Sequence, residues 1–173
     1  PLGAYMARVF ASEAGFLRVI ERPIFALAGI KPEQGQHWSA YALALIAFNA
    51  AGFVLLFLIL KFQNYLPWNP LGLPGLSGHL AFNTAISFAT NTNWQSYGGE
   101  TTMSYFSQMA GLTTQNFVSA STGMAVAAAV VRGLASKQQK TIGNFWADMV
   151  RATLYILIPL SVVLALVLVW QGV

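Results

Sequence analysis

The sequence predicts an all-α transmembrane protein built on a helix–re-entrant pore loop–helix repeat. Three observations carry that prediction. Only 8% of the 173 residues are charged and 56% are hydrophobic, against about 25% charged in a soluble domain. Charge-free, largely apolar stretches long enough to cross a bilayer recur at 38–60, 102–131 and 152–170. Between the first two lies a short helical stretch followed by an uncharged polar run, Thr90-Asn91-Thr92-Asn93-Trp94-Gln95. Irregular polar backbone persists at membrane depth only where protein buries it or where it lines a wet cavity.

The elements follow in order. In residues 1–37, Arg8, Arg18, Arg22 and Lys31 break up short apolar stretches. That pattern predicts an interfacial or cytoplasmic segment. Trp38 to Leu60 crosses the roughly 30 Å hydrocarbon layer. Trp38 and Tyr41 suit one interface, and Lys61 and Tyr65 anchor the other. Residues 62–76 form a stiff loop with Pro67, Pro70, Pro74, Gly72 and Gly75. Ser77 then serves as an N-cap for a helix to Ala89, about 20 Å long and too short to span. The predicted path enters as helix and returns as strand. Thr102 to Val131 is a second spanning helix of unusual polarity. Thr101, Ser104, Gln108, Gln115, Ser119 and Thr122 recur at spacings of 3, 4, 7, 4 and 3, which places them on one helical face. This face either lines a wet path or joins helices, and Gly111 and Gly123 are expected to allow close helix contact. Arg132 to Arg151 is a basic connector holding Lys137, Lys140 and Asp148. Ala152 to Trp170 is the third spanning helix, with Pro159 inside it; a neighbour is expected to satisfy the carbonyl the proline frees.

The basic residues set the orientation. Arg8, Arg18, Arg22 and Lys31 precede the first spanning helix, and Arg132, Lys137, Lys140 and Arg151 lie between the second and third. Of the 9 Lys and Arg, only Lys61 then falls on the opposite side. The positive-inside rule is met only if Ser77–Ala89 turns back without crossing. The polar run therefore faces outward.

Several functions are excluded. Cysteine is absent, which removes disulfides, Cys-based metal sites and thiol nucleophiles. The net charge of +4 is spread over membrane-flanking segments, so nucleic acid is not a partner and lipid is. His37 and His79 have no partner at metal-ligand spacing and read as interface residues. No phosphate loop or Ser–His–Asp set appears, so the chain is not an enzyme in its own right. No signal peptide is visible, and both ends read as cut from something longer.

The polar run has chemistry suited to a cation. A filter needs successive carbonyls aimed at one axis, which requires left-handed or otherwise unusual backbone. Glycine does this best, and Asn is among the more tolerant other residues. Thr90-Asn91-Thr92-Asn93 alternates a β-branched residue with a tolerant one, and the Thr hydroxyls offer further oxygens. With no carboxylate in the strip, coordination is by neutral dipoles. That suits a weakly hydrated monovalent ion better than Ca²⁺ or Mg²⁺. The C-terminal end of the short helix adds negative potential. Trp94 and Gln95 support the strip from behind. Glu100 at the outer mouth either concentrates cations or is an ordinary loop carboxylate. Taken alone, the strip also reads as a simple loop; the flanking helices favour a filter.

The run Phe82-Asn83-Thr84-Ala85-Ile86-Ser87-Phe88-Ala89-Thr90-Asn91-Thr92-Asn93-Trp94-Gln95-Ser96-Tyr97 resembles the KdpA family, the potassium-binding subunits of bacterial Kdp ATPases. So does the stretch from Gly99 to Phe117. The resemblance extends to Pro1-Leu2-Gly3 and to Gly143-Asn144-Phe145-Trp146-Ala147-Asp148, and covers essentially the whole chain. It implies a potassium-channel-like transporter of four helix–pore-helix–helix repeats around one filter. Residues 38–132 would be the first repeat, with filter 90–95. Residues 133–151 would be a basic cytoplasmic loop, and 152–173 would open the second repeat. Asn91, Thr92 and Asn93 match the family's first filter segment, and Gln95 a residue just behind it. The resemblance further implies K⁺ as the transported ion, ATP used only by the partner KdpB, further partners KdpC and KdpF, and a place in the bacterial inner membrane. A passive cation channel subunit and a non-conducting membrane scaffold are the alternatives. The third helix argues against the first. The second leaves the Thr-Asn strip without a purpose.

Overall fold

The computed structural model describes residues 1–135 and 140–172; Lys137, one of the charges expected in the connector, lies outside them. The described elements are helical: α1 Leu2–Phe10, α2 Arg18–Ala28, α3 Trp38–Lys61, α4 Gly78–Ala89, α5 Gly99–Thr102, α6 Ser107–Ala135 and α7 Phe145–Trp170. Among them α3, α6 and α7, of 24, 29 and 26 residues, are long and apolar enough to cross a membrane. The chain divides into one unit formed by Leu45–Ala120 and another formed by Pro1–Ala44 with Ser121–Val173.

In the Leu45–Ala120 unit the core joins Leu56 and Leu60 of α3, Leu76, Ala81, Ala85 and Phe88 of α4's side, Met103, and Leu112 of α6. Helix α4 starts where expected, because the Ser77 hydroxyl accepts the Leu80 N–H at 3.3 Å. Its buried residues Ala81, Ala85 and Phe88 repeat at helical spacing. Two of them are alanines, so backbones approach closely. Phe82 meets Phe53 of α3 edge-on at 5.4 Å. With 12 residues, α4 reaches about 18 Å, short of a bilayer. Gly111 behaves as expected. A Cβ there would stand 3.1 Å from a Leu56 methyl. Gly123 does not: nothing lies within 4 Å of its Cβ position, so its small size serves no contact among the described residues.

Two further expectations change. The second spanning helix starts later than Thr102, because Ser104 caps it, accepting the Ser107 N–H at 3.2 Å. Thr101 belongs to α5. The first turns of α6, Ser107–Thr113, are π-helical, and the wider turn rotates Gln108 away from the later polar positions. Its amide instead donates to the carbonyls of Gly99 and Met103, at 3.3 and 3.2 Å. The predicted polar face therefore shrinks to Gln115, Ser119 and Thr122, all buried. The return leg after α4 is not a strand; residues 92–95 have no regular structure.

In the other unit, α7 begins at Phe145, earlier than the expected Ala152. The Asn144 side chain caps it by accepting the Ala147 N–H at 3.2 Å. A π-helical segment, Ala152–Leu157, precedes Pro159. The carbonyl four residues before that proline belongs to Tyr155, and the Tyr5 hydroxyl donates to it at 2.6 Å. The predicted relief of the proline thus comes from α1. Val9, Leu154, Tyr155 and Ile156 form the core.

Within the expected basic connector, three charged residues, Arg132, Asp148 and Arg151, lie in helices and are paired, while Lys140 is exposed. Arg132 grips the Asp148 carboxylate through both terminal nitrogens, at 2.6 and 2.9 Å. It also donates to the carbonyls of Ile142 and Phe10, at 3.3 and 3.0 Å. Asp148 is 1% exposed. Gly143, at φ +110, passes so close that a Cβ would overlap the Arg132 guanidinium. Arg151 pairs with Glu21 of α2 at 2.8 Å, and the Tyr155 hydroxyl donates to the same carboxylate at 2.8 Å. A charge among apolar side chains persists only when paired, which is why these residues left the loop for the helices. Asp148→Ala, which strands Arg132, is expected to cost about 3–5 kcal/mol. Pairing it with Arg132→Met should recover most of that loss. Thermal unfolding of the detergent-solubilised protein, in single and double variants, checks this.

Candidate functional site

The strip begins where α4 runs out of donors. The last carbonyls of a helix have no partner within it, and here the strip's own N–H groups supply them. The Thr90 N–H donates to Ile86 O at 2.9 Å and the Asn91 N–H to Phe88 O at 3.3 Å. The N–H groups of Thr92 and Asn93 both donate to Ser87 O, at 2.9 and 3.1 Å. For three later N–H groups to fold back onto one turn, the chain must coil tightly. It does so through left-handed backbone at Asn91, φ 57, and Asn93, φ 55, with Thr92 between them. Asn is the residue type expected to permit this at modest cost. The same geometry rules out a strand, since a strand needs these donors for a neighbour's ladder.

The side chains fix the coil. Ser87, buried near the end of α4, donates its hydroxyl to the Trp94 carbonyl at 2.9 Å. The Thr90 hydroxyl donates to Ile86 O at 2.9 Å. A hydroxyl has one proton, so Thr92 is then the donor in the 2.9 Å contact between the two threonine hydroxyls. Ser119 of α6 donates to the Asn91 side-chain oxygen at 3.2 Å, and the Asn93 amide reaches the same oxygen at 3.5 Å. Among the described residues, no donor meets the backbone carbonyls of Thr90, Asn91, Thr92 or Asn93. The strip has donors committed inward and four successive acceptors left over.

The Trp94 side chain is 56% exposed, and its carbonyl is what engages Ser87. Gln95 is exposed. Glu100 sits in the first turn of α5, exposed, and lines a cleft of about 510 Å³ with Asn69, Tyr105 and Gln108. Tyr97 packs against the unit's core. Its buried hydroxyl has no partner among the described residues, and burial pushes the phenol pKa up.

Three residues of consequence escaped the sequence reading. Ser87 lies inside an apolar-patterned helix, with no signal beyond its closeness to the strip. Ser119 was visible as part of a polar face, without its partner. Gln63 follows α3 and read as loop. It is fully buried, and its amide nitrogen donates to the carbonyls of Pro74 and Thr102, at 2.7 and 2.8 Å. Its amide oxygen accepts from Ser104 N–H at 3.0 Å and the Ser107 hydroxyl at 2.9 Å. One side chain thus ties the proline-rich loop, the end of α5 and the start of α6.

Comparison with known proteins places this geometry in context. The family described as KdpA, potassium-transporting ATPase A subunit, matches residues 1–173. A relative from Rhodospirillum centenum, named potassium-transporting ATPase potassium-binding subunit, is 60% identical over 99% of this chain and 31% of its own length. Relatives with the same name from Granulibacter bethesdensis and Nitratidesulfovibrio vulgaris are 56% and 64% identical, over 100% and 89% of this chain. The chain spans about a third of the length of the relatives it matches, 31% and 27% in these two.

Gln63→Leu would take the partner from the carbonyls of Pro74 and Thr102 and from the Ser104 N–H, while the Ser107 hydroxyl keeps that of Ser104 at 3.1 Å; the cost is about 1–3 kcal/mol for each group that water cannot reach. The expected result is faster amide hydrogen exchange at Ser104 and Ser107 than in α3. Unchanged protection there would show that the clamp does not hold this junction.

Proposed function

This chain belongs to the family of potassium-transporting ATPase A subunits, and on that premise we propose that Thr90, Asn91, Thr92 and Asn93 form one ion-coordinating segment of a potassium-translocating subunit. The observation that carries the reading is the run of four backbone carbonyls without donors, beside N–H groups already committed to the end of α4. An ion leaving water needs oxygen dipoles in place of its hydration shell. A carbonyl already accepting a hydrogen bond is a poorer substitute. The segment holds no carboxylate, which suits a monovalent ion that sheds water readily. It also makes the dipole of α4 a minor contributor, since its last carbonyls are capped by the strip itself.

In this reading α3, α4 with its strip, and α6 make one helix–pore-loop–helix repeat, and α7 opens the next. The strip faces outward and supplies about a quarter of a filter, the rest coming from the remaining length of the full subunit. Ser119 of α6 holds the Asn91 side chain from behind the strip. Trp94 and Gln95 meet neighbouring segments, and Glu100 raises the local cation concentration at the mouth. The relatives' name, potassium-binding subunit of a potassium-transporting ATPase, supports K⁺ as the cargo. ATP hydrolysis belongs to the KdpB partner, with KdpC and KdpF completing a complex in the bacterial inner membrane. This subunit performs no catalysis by itself.

If backbone oxygens bind the ion, conformation at Asn93 matters more than its side chain. Asn93→Gly keeps the left-handed backbone and should hold the KM for K⁺ within about threefold. Asn93→Val forces a β-branched residue there and should raise it about tenfold or more. Uptake by the intact complex, compared for K⁺, Rb⁺ and Na⁺, is the measurement. Wild-type affinity and selectivity in both Asn93→Val and Thr92→Ala would sink the filter reading. Uptake that continues without ATP would favour a passive channel.

A further inference from the structure

We propose that Ser87, outside the strip, is a positioning residue for ion selection, acting through the backbone it holds rather than by touching the ion. The proposal rests on the reading of Thr90–Asn93 as the ion-coordinating segment. Ser87 engages the strip at both its polar groups. Its carbonyl takes the N–H groups of Thr92 and Asn93, at 2.9 and 3.1 Å, and lies 3.3 Å from the Thr90 hydroxyl. Its hydroxyl donates to the carbonyl of Trp94 at 2.9 Å. The first set closes the strip onto the helix. The last pulls in the carbonyl that would otherwise continue the run of free acceptors. Ser87 therefore defines where the run ends: the carbonyls before Trp94 remain available, and that of Trp94 does not.

This role is separable from folding. The residue is buried at 5% exposure, within a helix whose packing depends on Ala81, Ala85 and Phe88. Alanine at position 87 removes only the hydroxyl, keeps the backbone carbonyl and favours the helix. What it releases is the Trp94 carbonyl and, with it, the register of the preceding oxygens. A looser ring of oxygens still binds cations but discriminates less by size. The Ser119 contact to Asn91 acts on a side chain instead, so it offers an internal comparison.

The test is K⁺ and Rb⁺ uptake by the intact complex carrying Ser87→Ala, Ser87→Thr or Ser119→Ala. Ser87→Ala should raise the KM for K⁺ about tenfold, the scale of one lost buried hydrogen bond, with a reduced preference for K⁺ over Rb⁺ and a largely retained maximal rate. Ser87→Thr keeps the donor and should restore the preference; Ser119→Ala should shift it less than Ser87→Ala. Should the alanine variant not assemble, Ser87→Cys, a weaker donor of similar size, carries the same expectation in lesser degree. An unaltered KM and ion preference in the assembled variant would overturn the proposal. So would a lower rate with an unaltered preference, because that marks a purely structural role. If Asn93→Val changes selectivity while Ser87→Ala does not, the strip reading stands and this inference falls. If neither does, the strip reading falls first.

Discussion

A backbone that leaves its helix in a low-dielectric setting must still find partners for its polar groups, and this constraint organises the chain. At several irregular junctions a side chain meets a stranded carbonyl. Lys61 donates to Leu76, Gln63 to Pro74 and Thr102, and Gln108 to Gly99 and Met103. In the other unit, Tyr5 donates to Tyr155, Arg132 to Ile142 and Phe10, and Asn144 to Lys31 and Gln34. Against that pattern the strip stands out. Four successive carbonyls, Thr90 to Asn93, meet no donor among the described residues, and the proposed ion-coordinating role rests on that run.

The ion pairs obey the same rule at higher stakes. Arg132 and Arg151 enter the positive-inside count of the sequence, yet each is joined to a buried carboxylate. The positive-inside rule weighs Lys and Arg rather than net charge, so the pairing does not alter that count. The pairs tie α2 and the end of α6 to the first two turns of α7.

Local signals were legible in the sequence, and long-range partners were not. Helix α3 ends within a residue of its predicted bound, Ser77 caps α4 as its type suggests, and the left-handed asparagines follow from their conformational tolerance. Each of these depends on neighbours a few residues away. Gln63 meets residues about 40 positions along the chain, and Asp148 pairs across two helix ends; no periodicity encodes such contacts. Ser87 was hidden differently. A serine near a helix end is common, and only the coil of the following residues gives it work. Gly123 shows the reverse failure, since small size permits a close contact without requiring one.

The π-helical stretch Ala152–Leu157 has a consequence for how α7 is matched to other chains. A π turn carries about one residue more than an α turn, which offsets everything after it by about 100° around the axis. The side of α7 that Leu154, Tyr155 and Ile156 bury is thus out of phase with a wheel continued unbroken from Ser161 onward. A helical wheel drawn continuously from Phe145 to Trp170 would assign the wrong residues to each side. Removing one residue between 152 and 157 would leave the composition nearly intact while turning the final segment toward different neighbours. In α7, a single-residue gap in an alignment is a change of phase, not of length.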